Sequence, residues 1–257
     1  ALSSIITQYV SALLILIRMG RQEDSCTFRL RDLKNGLDRS EEKRILGLGI
    51  PAGLQNAVFA VANLFIQGAV NSFDSVMVEG NAAAANADSV IYNIMAAFYT
   101  ASATFMGQNL GAGKRDRVLK SYFVGIVYSF TAGAVLGGLL FLFGREFLSL
   151  FANDEAVIAA GLQRTKIMCF SYAVSAFMDC SIAACRGIGK SLAPTVIVIL
   201  GSCVFRVIWI YTVFAHFHTI PSLYLLYIFS WTITSLAEIA YFAVSYKKLD
   251  AARASRI

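Results

Sequence analysis

Charge is scarce in this sequence. Lysine, arginine, aspartate and glutamate make up 15% of the 257 residues against 57% hydrophobic ones, and the mean hydropathy of +0.63 exceeds what a soluble core requires. Histidine is scarcer still: His216 and His218 stand alone, with no His-Glu-x-x-His helix, so neither a zinc hydrolase nor a Ser-His-Asp enzyme is suggested. No catalytic constellation is expected. The five cysteines show neither a disulfide framework nor zinc spacing; Cys169, Cys180, Cys185 and Cys203 fall in apolar runs and Cys26 in the main hydrophilic segment. Proline occurs three times, and Pro51 and Pro194 stand near helix starts, where a missing N–H does least harm. A phosphate loop is missing too. GQNLGAGKRDRV, from Gly107, and RGIGKSLAPT, from Arg186, lack the first glycine of the pattern, and the first also lacks the Ser or Thr after its lysine. Both follow long apolar runs and read as helix stops leading into basic turns.

What the chain does have is hydrocarbon-length segments. Seven runs, roughly 2 to 18, 45 to 70, 89 to 107, 119 to 143, 166 to 185, 194 to 214 and 223 to 245, approach the about 20 helical residues that a bilayer core takes. Helices, which satisfy their own backbone in lipid, are expected rather than a barrel. The outer connections are placed at 71 to 88, 144 to 165 and 215 to 222, with Asn153 or Asp154 capping a short helix before the fifth run. Of the 22 lysines and arginines, 18 fall on alternate connections and the tail. That asymmetry is the positive-inside signal and puts the carboxyl terminus in the cytoplasm; the net charge of +6 is therefore topological and does not point to nucleic acid. Arg145, Arg164 and Lys166 are assigned to the opposite side, which leaves Arg206 within a span. In segment 21 to 44, Leu30, Leu33 and Leu37 recur at helical spacing and suggest a helix on the membrane surface.

Polar groups inside the runs are the site candidates. Asn56, Asn63 and Gln67 share a stripe of the second run, Asp88, Tyr92, Met95 and Tyr99 one of the third, and Met168, Tyr172, Ser175 and Asp179 one of the fifth. Interhelical glue and substrate contact both account for the amides and Ser175, while Tyr92 and Met95 are read first as packing. Asp179, Glu238 and Arg206 are ionisable groups within spans and hence functional-site candidates, with mutual neutralisation of an acid and Arg206 as the other reading.

GIPAGLQNAVF, FIQGAVNSF, GNAAAANADSVIY, GQNLGAGKRDRV, LFANDEAVIAAG, RGIGKSLAP and RVIWIY, in this order and separation, resemble the carboxy-terminal half of multidrug and toxic compound extrusion (MATE) transporters. The resemblance implies an all-α integral membrane protein: a six-helix transmembrane lobe at 45–246, preceded by the end of one further transmembrane helix at 1–18 and a cytoplasmic linker at 19–44, and followed by a cytoplasmic tail at 247–257. It also implies a multi-pass bacterial plasma-membrane antiporter whose partners are the lipid bilayer, a small organic cation and an amino-terminal six-helix lobe that lies outside this chain. No organic cofactor or resident metal is implied; the coupling ion is sodium or a proton. Asp179 matches an acid seven residues before the Arg of the RG-x-GK motif, and Tyr172 and Ser175 share its stripe as cation-coupling candidates. Asn56, Asn63, Gln67, Asp88, Tyr92 and Tyr99 become candidates for the substrate cavity, with Arg206 and Glu238 as intramembrane charge partners. The chain departs from the family where some members carry an acid one turn before Asp179, here Ser175, or in the seventh helix, here near Phe59. A lipid-linked saccharide flippase of the same broader superfamily is the alternative transporter, and a non-transporting membrane scaffold is another.

Overall fold

A computed structural model describes residues 2–21 and 38–254. Among them the chain is helical between short turns, and no strand is present. The chain divides into two compact units, Ala1–Leu46 and Gly47–Ile257. The helices are α1 (Leu2–Arg21), α2 (Arg39–Val70), α3 (Ser75–Gly111), α4 (Arg115–Leu142), α5 (Gly144–Leu148), α6 (Glu155–Gly187), α7 (Leu192–Phe217) and α8 (Ile220–Ala254). The expected surface helix around Leu30, Leu33 and Leu37, and Cys26 with it, lie outside the described residues.

Five of these helices are long and apolar enough to cross a membrane: α2, α4, α6, α7 and the Ile220–Leu249 part of α8. The runs at 2 to 18 and 89 to 107 are helical as well, within α1 and α3; α3 falls outside that set. In α3, Tyr92, Asn93, Tyr99 and several Ser and Thr residues dilute the hydropathy. Val61, Leu64, Phe123 and Val127 are exposed on α2 and α4, as suits helices whose solvent is lipid.

The second unit is built around α6, whose most apolar stretch is 72% buried, against 11% for α2. Small residues let the helices close on it. A Cβ at Gly137 of α4 would sit 2.4 Å from the Cys169 carbonyl of α6, and one at Gly80 of α3 would sit 2.7 Å from the Gly161 backbone nitrogen. Side-chain caps start the helices: Asp74 accepts from the Met77 N–H at 2.8 Å, and Asp154 from that of Ala156 at 2.9 Å.

Both Gly-x-Gly-Lys stretches end helices. Gly113 (φ +71°) and Gly189 (φ +79°) adopt the left-handed conformation, and the following Lys114 and Lys190 N–H groups reach back to the carbonyls of Asn109 and Cys185, each at 2.8 Å. A Cβ at either glycine would meet open space, so backbone conformation rather than crowding requires the glycine.

The outer connections are shorter than the sequence suggests. Asp154 caps α6 itself, not a separate short helix, and α6 carries Arg164 into the lobe, where it is buried. Arg206 is therefore not the lone arginine inside the helices, a correction that follows from α6 beginning at Glu155. In the same way α3 begins at Ser75 and takes in most of the segment assigned to the first outer connection.

Candidate functional site

Polar residues from α2, α3, α6, α7 and α8 converge on a cavity of about 540 Å³. Asn56 and Asn63 of α2, Asp88 and Tyr92 of α3, Tyr172 and Asp179 of α6 and Arg206 of α7 all line it. Gln67, Tyr99, Ser175 and Glu238 do not. Gln67 is exposed and donates to Asn71 at 2.9 Å, while the Ser175 hydroxyl is turned onto its own helix and donates to the Tyr172 carbonyl at 2.9 Å. Tyr99 packs edge-on to Tyr92, their ring centroids 6.4 Å apart.

The acids on the wall have different surroundings. Asp88 accepts from both terminal nitrogens of Arg164 and from the Tyr172 hydroxyl, so its charge is matched by a fork of donors. The Arg164 guanidinium lies 5.3 Å from the Tyr224 ring centroid, and Tyr224 donates to Asn81 at 2.6 Å, extending the network toward the start of α3. Tyr172 thus belongs to Asp88, not to Asp179. Asp179 is 7% exposed and accepts one hydrogen bond, from the Tyr92 hydroxyl at 3.2 Å to Oδ1; its Oδ2 is buried without a partner.

Arg206 is buried as deeply. Its Nε donates to the Ser230 hydroxyl at 3.3 Å, and its guanidinium carbon lies 4.5 Å from the ring centroid of Tyr227, 5.5 Å from that of Phe59 and 5.6 Å from that of Trp231. Nη2 has no hydrogen-bond partner. Among the described residues no ion pair joins Arg206 to Asp179 or to Glu238. Glu238 is fully buried in a different place, with both carboxylate oxygens unpartnered and within electrostatic reach of Tyr122, Cys185 and Arg186. Arg186 in turn donates to Gln55 at 3.0 Å, and Thr195 donates to the Pro51 carbonyl at 3.2 Å, which tie α6 and α7 to α2.

Sequence reasoning missed Arg164, Gln55 and the aromatic cage of Phe59, Tyr227 and Trp231. The Asp154 cap, followed through at 3.6 residues per turn, carries the signal for Arg164; Tyr227 and Trp231, at i and i+4, carry one for the cage. Among the described residues no three His, Cys, Asp or Glu side chains converge. A monovalent cation here would draw on Asp179 and on neutral oxygens, the ligands that suit a hard ion.

The profile of the MatE family matches residues 51–212, which contain α2 from Pro51 onward, all of α3 to α6 and most of α7. The chain belongs to the MatE family. It is 32% identical over 132 residues to the probable multidrug resistance protein YpnP of Bacillus subtilis, covering 51% of this chain and 30% of that protein. It is 24% identical over 200 residues to the probable multidrug resistance protein NorM of Thermotoga maritima, covering 77% of this chain and 42% of that one. A crystal structure of MATE in complex with MaL6 superposes with a TM-score of 0.85 at 16% identity, over 96% of this chain and 56% of that one, and so shares the fold. The chain spans less than half the length of these two MatE relatives.

Proposed function

We propose that this chain is the carboxy-terminal lobe of a secondary efflux antiporter, in which Asp179 takes up the coupling sodium ion or proton and the adjoining cavity holds the exported small molecule. The observation that carries this reading is Asp179 itself: a buried acid on a cavity wall with one carboxylate oxygen unpartnered. Intramembrane acids mark ion pathways in transporters, and a bare oxygen can accept a proton or ligate a cation without first breaking a salt bridge. Asp88, held by Arg164 and Tyr172, is less suited to that work. The family relationship and the coverage of less than half of the relatives support an amino-terminal lobe as the other wall, against which this lobe rocks. Membership of the family also favours export of a small organic molecule over flipping of a lipid-linked saccharide.

The test is Asp179→Asn in a protein carrying both lobes. Expression should be retained and efflux should cease to follow the ion gradient. Efflux by the variant that still follows the gradient would move coupling to Asp88, Glu238 or the other lobe. The distribution of basic residues supports a cytoplasmic carboxyl terminus in the bacterial plasma membrane. With native cysteines replaced, single cysteines at the exposed positions Asn153 and Asp116 should label from opposite sides, and labelling from one side would overturn the topology.

A further inference from the structure

The charge on the cavity wall does not match a purely cationic cargo. A site for an organic cation needs acids and aromatic faces, and a buried arginine beside them works against it. Arg206 is nonetheless placed on that wall, 2% exposed, with Nη2 unpartnered and, among the described residues, no carboxylate bonded to it. The nearby acids have other partners, Asp88 in Arg164 and Tyr172, and Asp179 in Tyr92. Ring faces and one serine hydroxyl hold the guanidinium in place. They do not supply the counter-anion that a guanidinium removed from water calls for. Its helix is also irregular at this point. Arg206 sits in the α-helical stretch Phe205–Trp209 between two π-helical segments, Ile199–Val204 and Ile210–Phe214, and such widened turns recur at functional sites.

We infer that Arg206 receives an anionic group, a carboxylate or phosphate, of a cargo whose aromatic ring system packs against the Phe59, Tyr227 and Trp231 side of the cavity. A guanidinium presents donors along its edge that match two oxygens of such a group, while its faces remain on the rings. Asp179, on the same wall, leaves room for a cationic group on the same molecule, so zwitterions fit as well as simple aromatic anions. Calling the ligand a cargo rests on the transporter reading above. Binding is measured without an ion gradient, so a failed export assay leaves a binding result standing, and the reverse.

The purified chain in lipid nanodiscs is to be tested by equilibrium dialysis with three probes that share a ring: 1-naphthoate, 1-naphthamide and 1-naphthylmethylammonium. Naphthoate should bind about 10-fold more tightly than the amide, as one charge-assisted contact provides. Arg206→Gln should bring the two within about twofold, and Arg206→Lys should keep part of the difference. If Arg206→Gln does not fold, Asp179→Asn supplies the second readout, since removing the negative charge from the wall should tighten naphthoate and weaken the ammonium. Amide or ammonium binding as tight as naphthoate, or a preference that survives Arg206→Gln, overturns the assignment. So does inorganic phosphate binding as tightly as naphthoate, which would make the arginine a site for any free anion.

Discussion

Arg164 and Arg206 are both almost wholly buried, Arg206 on the cavity wall and Arg164 behind the wall residue Asp88, yet their surroundings differ. Arg164 is forked onto Asp88, whose other hydrogen bond comes from Tyr172, so donors and acceptor are matched within the lobe. Arg206 has aromatic faces and one hydroxyl, and Asp179, which lines the same cavity, has one tyrosine. A buried charge that is paired serves the fold; a pair of buried charges left unpaired on a cavity wall is available to something that enters. The first arrangement locks α3 to α6. The second leaves the wall between α6 and α7 with one donor and one acceptor to spare.

The sharpest way to break this contrast is to remove the matched arginine. Arg164→Met leaves Asp88 buried without its cation and should cost about 3 to 5 kcal/mol in unfolding free energy, read by denaturant titration in micelles, whereas Asp179→Asn should change stability by less than about 1 kcal/mol. Equal losses from the two would erase the distinction. Close helix contact comes next: Gly137→Ala drives a Cβ into the Cys169 carbonyl and should cost about 1 to 3 kcal/mol, with the same titration as the readout. Tyr92→Phe removes the one hydrogen bond of Asp179 and should cost about 0.5 to 1.5 kcal/mol.

The smallest effect lies outside the spans. The Ser40 backbone N–H and hydroxyl both donate to Asp38 at 2.8 Å and hold its carboxyl below the usual carboxylate range. A lowered folded pKa means that the capping contribution is present above the ordinary carboxylate pKa and is lost as pH falls through the lowered value. In an NMR titration Ser40→Ala should raise the Asp38 pKa part of the way back, because the backbone donor stays.

Much of the architecture was legible in the sequence because its signals are local. Helix stops at Gly113 and Gly189, the Asp154 cap and the long apolar runs each depend on neighbours within a turn or two. Asp179 was legible too, since an acid in an apolar run stands out whatever surrounds it. Partners were not. Tyr172 and Asp179 share a stripe of α6, yet the Tyr172 hydroxyl reaches an acid 84 positions earlier in the chain, on α3. By sequence Arg164 reads as a connection residue because charged neighbours surround it; the cap that starts α6 ten residues earlier moves it indoors. The aromatic cage of Arg206 draws on α2 and α8, helices far apart in the chain; the i, i+4 spacing of Tyr227 and Trp231 marks one side of it, but nothing local joins that side to Phe59 or to Arg206.

The contrast between the two arginines can be put to one measurement, a pair of double-mutant cycles on unfolding free energy. One cycle combines Asp88→Asn with Arg164→Gln, the other Asp179→Asn with Arg206→Gln. The matched pair should show a coupling of more than about 1.5 kcal/mol, and the unmatched pair should be additive within about 0.5 kcal/mol. A coupling between Asp179 and Arg206 as large as that between Asp88 and Arg164 would make them structural partners of each other and would remove the basis for both an ion site at Asp179 and an anion site at Arg206.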